Sequence, residues 1–302
     1  MRGWLLYKDS VDTVKPDKYS TQRLQEGATK SEIDLKVVAP EMIDLIVTRD
    51  DRKSVVLNAE PTDLPDFLIP RTGARTTYYG LAVIRHLERL GVVSINSSQS
   101  IETVKDKLYT HQVLAQSNLP VPRTMLVRHP VDMELVRKQV GFPVVVKTIS
   151  GEQGTGIYLA ETESGFEDLM ELIHETRGNA NLIMQEFIAA SRGRDLRIFI
   201  VGGRPVACVE RRAKDGGFKA NHSRGGEVKP FPMTPEIEWM ATETARLLGL
   251  EIAGIDLLFD GDHFRVCEAN SAPGFASIEE CTDIDLPDAI FHYLRIRLGM
   301  FE

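Results

Sequence analysis

Two carboxylates and a carboxamide near the C-terminus are the residues whose types and spacing point most directly to chemistry. Glu268 and Asn270 stand two apart in a run that reads as a strand, so their side chains share one face. Asp256 lies across a turn near Gly261 and Asp262. A regular hairpin sets Asp256 and Glu268 opposite each other, with Cβ atoms about 4.5–5.5 Å apart. Facing carboxylates repel unless a cation separates them. Oxygen donors of this kind suit Mg²⁺, whose other positions go to water and phosphate. The plainer alternative is the solvent face of an ordinary hairpin. Ile255, Leu257 and Val266 argue against it, because they mark buried strands in which unpaired acids are costly.

A second group is cationic. Lys147 ends a near-continuous apolar run, Pro143-Val144-Val145-Val146, and precedes Gly151-Glu152-Gln153-Gly154-Thr155-Gly156. A lysine there can hold a phosphate as a point charge, and small loop residues let backbone N–H groups approach phosphate oxygens. On its own the turn is equally a plain glycine-rich connection, and it is not a P-loop. Lys107 reads as a surface lysine in the middle of a helix. Arg197, Arg211 and Arg212 fall on one hairpin, where alternation sends Arg211 and Arg212 to opposite faces. One of them can hold a carboxylate or phosphate bidentately, and Arg212 reads as a paired surface residue. The seven histidines form no ligand-spaced cluster, and no nucleophile motif occurs.

These residues need elements to position them. The first third predicts strands over 4–7, 34–38, 44–48, 54–57, 66–69 and 92–95 and a helix over 77–90, a pattern of parallel sheet covered on both faces. No dinucleotide fingerprint follows any of these strands. A helix capped by Ser100 then carries Ile101, Val104, Leu108 and Ala115 on one side and stops at Asn118. A helix over 131–140, the strand before the glycine-rich turn, a helix over 165–177 and a strand over 182–185 follow. The last third predicts a hairpin turned by Gly202-Gly203, a polar loop to about Pro230, a helix started by Thr234-Pro235, the second hairpin at Gly261, and a helix over 286–298. The boundaries expected are 1–96, 97–185 and 186–302.

Composition sets the frame. The chain has 302 residues, 42% of them hydrophobic and 26% charged, which suits a folded globular protein of two or three units. No segment reads as a signal peptide or membrane span, and three scattered cysteines suggest reduced thiols, so a cytoplasmic protein is expected. A net charge of −8 argues against broad nucleic-acid binding, and with no spanning stretch no membrane partner is expected. Residues 192–229 depart from that balance with ten Lys and Arg against four Asp and Glu, a solvated face or a pocket for anions.

The ordered set of motifs resembles the ATP-grasp superfamily, and within it the RimK-type alpha-L-glutamate ligases. It runs through Ile69-Pro70-Arg71-Thr72-Gly73, Asp106-Lys107-Leu108, Val145-Val146-Lys147, Gln185-Glu186-Phe187-Ile188, Asp195-Leu196-Arg197, Glu210-Arg211-Arg212-Ala213-Lys214, Ala253-Gly254-Ile255-Asp256 and Glu268-Ala269-Asn270. The next turn, Ser271-Ala272-Pro273-Gly274, differs from the usual one by an exchange of Ala and Ser. The resemblance implies mixed α/β and α+β architecture: a Rossmann-like pre-ATP-grasp domain followed by two subdomains gripping ATP. It implies that Lys107 and Lys147 contact phosphates and that the loop with Gly154 and Gly156 is a lid. Gln185, Glu186, Phe187 and Ile188 would line the adenine slot, and Asp195 would hold the ribose. Lys219 and Asn221 would sit near the nucleotide, and Asp256, Glu268 and Asn270 would hold two Mg²⁺ ions, with Mn²⁺ as a substitute.

The reaction implied is ATP-dependent amide formation through an acyl phosphate, with Lys147 at the phosphates and Arg211 at the tetrahedral oxyanion. The partners implied are ATP, an amino acid (glutamate) and a carboxylate acceptor, which is a small acid, a peptide or a protein C-terminus; homo-oligomers are common in the superfamily. The loop 213–229 is where acceptor choice is expected. The competing reading is an ATP-binding scaffold of the same fold that has lost turnover.

Overall fold

The computed structural model describes residues 1–7, 16–49, 54–73, 76–149, 156–177, 181–214, 217–218 and 226–300. Strands β1 (Arg2–Leu6) and β2 (Asp34–Val38) flank helix α1 (Pro16–Lys30) and pair in parallel. Strands β3 (Ile43–Leu45), β4 (Val55–Leu57) and β5 (Glu60–Pro61) form a small antiparallel sheet. Strand β6 (Phe67–Pro70), helix α2 (Tyr78–Arg89) and strand β7 (Val93–Ser94) complete a four-stranded parallel sheet in the order β2-β1-β6-β7. Parallel strands are buried on both faces. That is why Trp4, Leu5 and Leu6, and Phe67, Leu68 and Ile69, are apolar without alternation and are all buried.

The single helix expected after residue 100 is two. Helix α3 (Ser98–Lys105) is capped by Ser97, whose hydroxyl accepts from the Ser100 amide, and helix α4 (Lys107–Gln116) is capped by Asp106. Asp106 is extended (φ −94°, ψ 106°), and its carboxylate accepts from the Tyr109 amide. The cap ends one helix and starts the next, so Lys107 opens a helix instead of riding the middle of one. Strand β8 (Thr124–Val127), helix α5 (Met133–Gln139), strands β9 (Val144–Thr148) and β10 (Ile157–Ala160), helix α6 (Glu163–Arg177) and strand β11 (Leu182–Glu186) follow. Their antiparallel sheet runs β10-β9-β11-β8.

Strands β12 (Arg194–Val201) and β13 (Arg204–Arg212) turn at Gly202-Gly203, both at positive φ (61° and 75°), where a side chain is disfavoured. The expected loop to Pro230 ends in an edge strand, β14 (Glu227–Pro230), paired with β13. Helix α7 (Pro235–Leu247), strands β15 (Ile252–Asp260) and β16 (His263–Asn270), and helices α8 (Ala276–Cys281) and α9 (Leu286–Arg297) close the chain. The five-stranded antiparallel order is β14-β13-β12-β15-β16.

The two faces of this sheet differ. One is apolar except where Glu210 lies opposite Leu196: Leu196, Ile198, Ile200, Ile255 and Leu257 pack in a core with Ile237, Met240 and Ala241 of α7. The other is apolar only at one end, where Phe199, Val201, Ala207 and Val209 meet Phe275, Ile290 and Leu294 and residues of the parallel sheet. Past Phe199 and Val209 the same face becomes charged.

Asn96 ties the N-terminal sheet to that region. Its carboxamide donates to the carbonyls of Ile252 (2.6 Å) and Ser271 (2.8 Å) and accepts from the amides of Glu251 (2.6 Å) and Ile252 (3.0 Å). The side chain is fully buried and uses its whole hydrogen-bonding capacity on the base of the last hairpin.

Candidate active site

The charged end of the five-stranded sheet is a row set by register. Asp195 on β12 pairs with Arg211 on β13, Arg197 on β12 with Asp256 on β15, and Asp256 with Glu268 on β16. Arg197 grips Asp256 bidentately through Nε and Nη2. Arg211 donates to both oxygens of Asp195 (2.7 and 2.8 Å) and to Oδ2 of Asp256 (2.8 Å). Gly254 leaves room for this: a Cβ there would lie 2.8 Å from Pro273 Cβ and 3.2 Å from Arg197 Cδ.

Asp256 and Glu268 do face each other, but not because the hairpin is regular. From Asp260↔His263 to Leu257↔Val266 the register is constant, and continued it would bring Cys267 opposite Asp256. The register shifts between Asp256 and Leu257, leaving Cys267 as the extra residue of a bulge. The bulge puts Glu268 opposite Asp256, while Val266 and Ala269 stay in the core on the other face. Asn270 pairs with Gly254, and its Oδ1 accepts from the Ala272 amide at 2.9 Å.

The two lysines reach the same row from elsewhere in the chain. Lys107, at the start of α4, donates to Glu268 Oε1 at 2.8 Å and is largely covered, which corrects its reading as a surface lysine. Lys147 on β9 is buried, donates to Gln185 Oε1 at 2.5 Å, and has Cys267 Sγ at 3.8 Å. Gly156 sits at φ 73° where β10 begins, and its carbonyl accepts from the Thr148 amide at 3.0 Å. A Cβ there would lie 2.5 Å from Thr148 Oγ1. Gly154, Lys219 and Asn221 lie outside the described residues.

Other expected residues take different places. Gln185 turns its side chain to Lys147 and to Thr124 Oγ1 (3.0 Å). Glu186 accepts from Arg265 (3.0 Å) and from the Arg123 amide (3.2 Å), Phe187 lies under Arg192, and Ile188 is buried. Both Asp195 oxygens accept from Arg211. Arg211 is held between two aspartates, Asp195 and Asp256. Arg212 pairs with Glu210 at 2.7 Å and is half exposed, as expected. Two participants were not read from the sequence as such. Arg197 became a partner of Asp256 only through strand order. His111 had one signal, its position four residues after Lys107 and therefore on the same helix face.

Burial by itself would push the Asp256 carboxyl up, but the charges of Arg197 and Arg211 outweigh it and hold Asp256 below its ordinary range. Burial likewise opposes ionisation of Glu268, and Lys107 overcomes it. Asp195 goes the other way: burial and the like charge of Asp256 raise it despite Arg211. The named side chains comprise three acids (Asp195, Asp256, Glu268) and four cations (Lys107, Lys147, Arg197, Arg211), one net positive charge in formal terms. Such a row suits a polyanion accompanied by a divalent cation. Among the described residues no group of three or more His, Cys, Asp and Glu forms a metal cage. Two hard carboxylates and an amide fit Mg²⁺, which keeps most of its shell for water and phosphate.

His111 gives a pH signature. Burial lowers its pKa to about 4, from an unfolded value of about 6.5. Below pH about 6.5 the unfolded chain binds a proton that the folded one refuses, so stability falls as pH drops toward 4. The loss reaches about 3 kcal/mol. Urea titrations should show this component in the parent and lack it in His111→Gln. The depressed Asp256 and Glu268 act lower, and their stabilisation is lost as pH falls through their folded pKa values.

The chain resembles known proteins in sequence and in fold. The profile of the RimK-like ATP-grasp domain matches residues 104–294, and that of the RimK pre-ATP-grasp domain matches residues 12–101. A probable alpha-L-glutamate ligase of Legionella pneumophila (strain Corby) is 35% identical over 288 residues, 95% of each chain. One of Picosynechococcus sp. is 37% identical over 289 residues, again 95% of each. In three dimensions the chain resembles the ATP-grasp ligase PsnB, solved with a phosphomimetic precursor variant, Mg and ADP, at a TM-score of 0.75 and 18% identity, covering 98% of each chain.

Proposed function

The chain belongs to the RimK-like ATP-grasp family and is an ATP-grasp ligase, and we propose that it joins an acceptor carboxylate to the amine of L-glutamate, releasing ADP and phosphate. The observation that carries this reading is the convergence of Asp256, Glu268 and Asn270 with Lys107 and Lys147. These residues come from three separate segments and meet on one charged sheet face.

In this reading Asp256, Glu268 and Asn270 hold two Mg²⁺ ions, or Mn²⁺ in their place, which would neutralise charge on the phosphates. Lys107 and Lys147 bind phosphate oxygens. Arg197 and Arg211 keep Asp256 ionised and aimed. The acceptor carboxylate attacks the γ-phosphorus and ADP leaves; the glutamate amine then attacks the acyl carbon and phosphate leaves. The 151–156 loop keeps water from the acyl phosphate. Residues 1–96, 97–185 and 186–302 act as pre-ATP-grasp domain, central subdomain and C-terminal subdomain. The acceptor is a peptide, a protein C-terminus or a small carboxylate.

An ADP-release screen of carboxylates, each with and without glutamate, tests this reading when products are weighed by mass spectrometry. The expected product has the mass of acceptor plus glutamate less one water. ATP binding without ADP release across the whole panel would favour a scaffold without turnover.

A further inference from the structure

The bulge that brings Glu268 opposite Asp256 is anchored by a circuit of polar contacts that begins at Lys147. Lys147 Nζ donates to Gln185 Oε1 (2.5 Å), and Gln185 Nε2 donates to Thr124 Oγ1 (3.0 Å). Thr124 Oγ1 lies 3.3 Å from His111 Nδ1, and His111 Nε2 lies 3.0 Å from the carbonyl oxygen of Cys267. The circuit closes where Lys147 Nζ approaches Cys267 Sγ (3.8 Å). Lys147, Gln185 and His111 are all buried.

The proton on Nε2 follows from its partner. A carbonyl only accepts, so His111 Nε2 carries the hydrogen, while Nδ1 shares the single Thr124 hydroxyl hydrogen with the Pro122 carbonyl, 3.0 Å from Thr124 Oγ1. A bulge leaves its extra residue out of the strand ladder, and a buried carbonyl left without a donor is costly. His111 supplies the donor that the Cys267 carbonyl needs. Helix α4 therefore does two things at one end of β16: Lys107 pairs with the Glu268 carboxylate, and His111, one helical turn on, anchors the adjacent peptide.

We propose that His111 is a positioning residue that couples the phosphate-binding lysine to the metal carboxylate, by anchoring the Cys267 bulge that sets Glu268 opposite Asp256. This rests on the reading of Glu268 as a metal ligand and Lys147 as a phosphate contact. The coupling is mechanical: the Lys147–Gln185–Thr124 arm crosses the central sheet, His111 turns it onto the last hairpin, and the bulge passes it to Glu268.

Two substitutions of similar size separate anchoring from bulk. His111→Gln places an amide donor near Nε2 and keeps a bond to the Cys267 carbonyl. His111→Asn places its amide near Nδ1, keeps Thr124 in reach, and cannot reach the carbonyl. The readouts are Mn²⁺ affinity by electron paramagnetic resonance with a non-hydrolysable ATP analogue, and the separate kcat and KM of glutamate ligation. Outer-shell partners of metal ligands are worth about 10–100-fold in affinity or activity. Asn is therefore expected to weaken Mn²⁺ binding and lower kcat by at least about tenfold, with little change in the KM for glutamate. Gln should stay within about threefold of the parent. Folded Gln and Asn variants with equal, parental Mn²⁺ affinity would overturn the coupling while leaving the metal site standing. A Glu268→Ala variant that binds Mn²⁺ as the parent does would instead remove the metal reading, and this proposal with it. If Asn does not fold, a Gln variant that loses tenfold or more also overturns the anchoring argument, because its bond to the bulge is retained.

Discussion

Asp256→Asn is expected to cut ADP release by at least about a hundredfold, the largest effect of any single change in this protein. The substitution keeps the shape and removes the charge. In the proposed reaction that charge holds a divalent cation against the phosphates. It also balances Arg197, which contacts both carboxylate oxygens, and Arg211, which contacts Oδ2. Removing one partner of a buried ionic group leaves the others uncompensated, at a cost of about 3–5 kcal/mol. Activity must therefore be measured well below the variant's unfolding midpoint, with urea titration as the companion experiment. A folded Asp256→Asn enzyme that releases ADP at the parental rate would refute the metal assignment. Glu268→Gln should also be strongly impaired in turnover but lose less stability, because Glu268 is more exposed than Asp256 and Lys107 is the partner it is seen to hold.

Arg211→Met should damage stability as much as Asp256→Asn. Arg211 is buried, and burial would favour its neutral form, but the charges of Asp195 and Asp256 hold it protonated. Removing it leaves Asp195 without the guanidinium that takes both its oxygens and Asp256 with Arg197 as its bidentate partner. A loss of about 3–5 kcal/mol is expected. The sharper test is a cycle with Asp195→Asn. Asp195 is already pushed up by burial, so in the Arg211→Met background it takes up a proton readily, and Asp195→Asn should then cost little further. Additive effects would mean that the Asp195–Arg211 pair is not energetically coupled. Turnover in Arg211→Met should fall as well, because one of the two arginines aiming Asp256 is gone.

Much of the scaffold was legible in local chemistry. Gly202-Gly203 and Gly261 announced hairpins because a tight turn needs positive φ. Thr234 announced a helix start because a hydroxyl can take up an orphan amide. The strands at Leu5 and Leu68 read as parallel because strands and helices alternate along the first third of the chain. Where local signals competed, the reading slipped. Ser97, Ser98 and Ser100 are all acceptable caps, and Ser100 was preferred to Ser97. Asp106 is a cap that an amphipathic spacing of apolar residues ran straight across. Strand β14, Glu-Val-Lys-Pro, does alternate, with Val228 packed on the core, but four residues ending in a proline are too short a run to stand out from the polar loop before them.

The kinds of group at the centre of this protein, two acids, an amide and two lysines, were determined by the sequence, because a residue's chemistry goes wherever the chain goes. Which of them touch was decided by the tertiary structure. Asp256 meets Arg197 because β15 lies beside β12, and Asp256 meets Glu268 because one extra residue shifts the register. Lys107 and His111 arrive from a helix more than a hundred positions away. Strand order, a bulge and long-range packing minimise the free energy of the whole chain, so no window of residues short enough to read locally contains them.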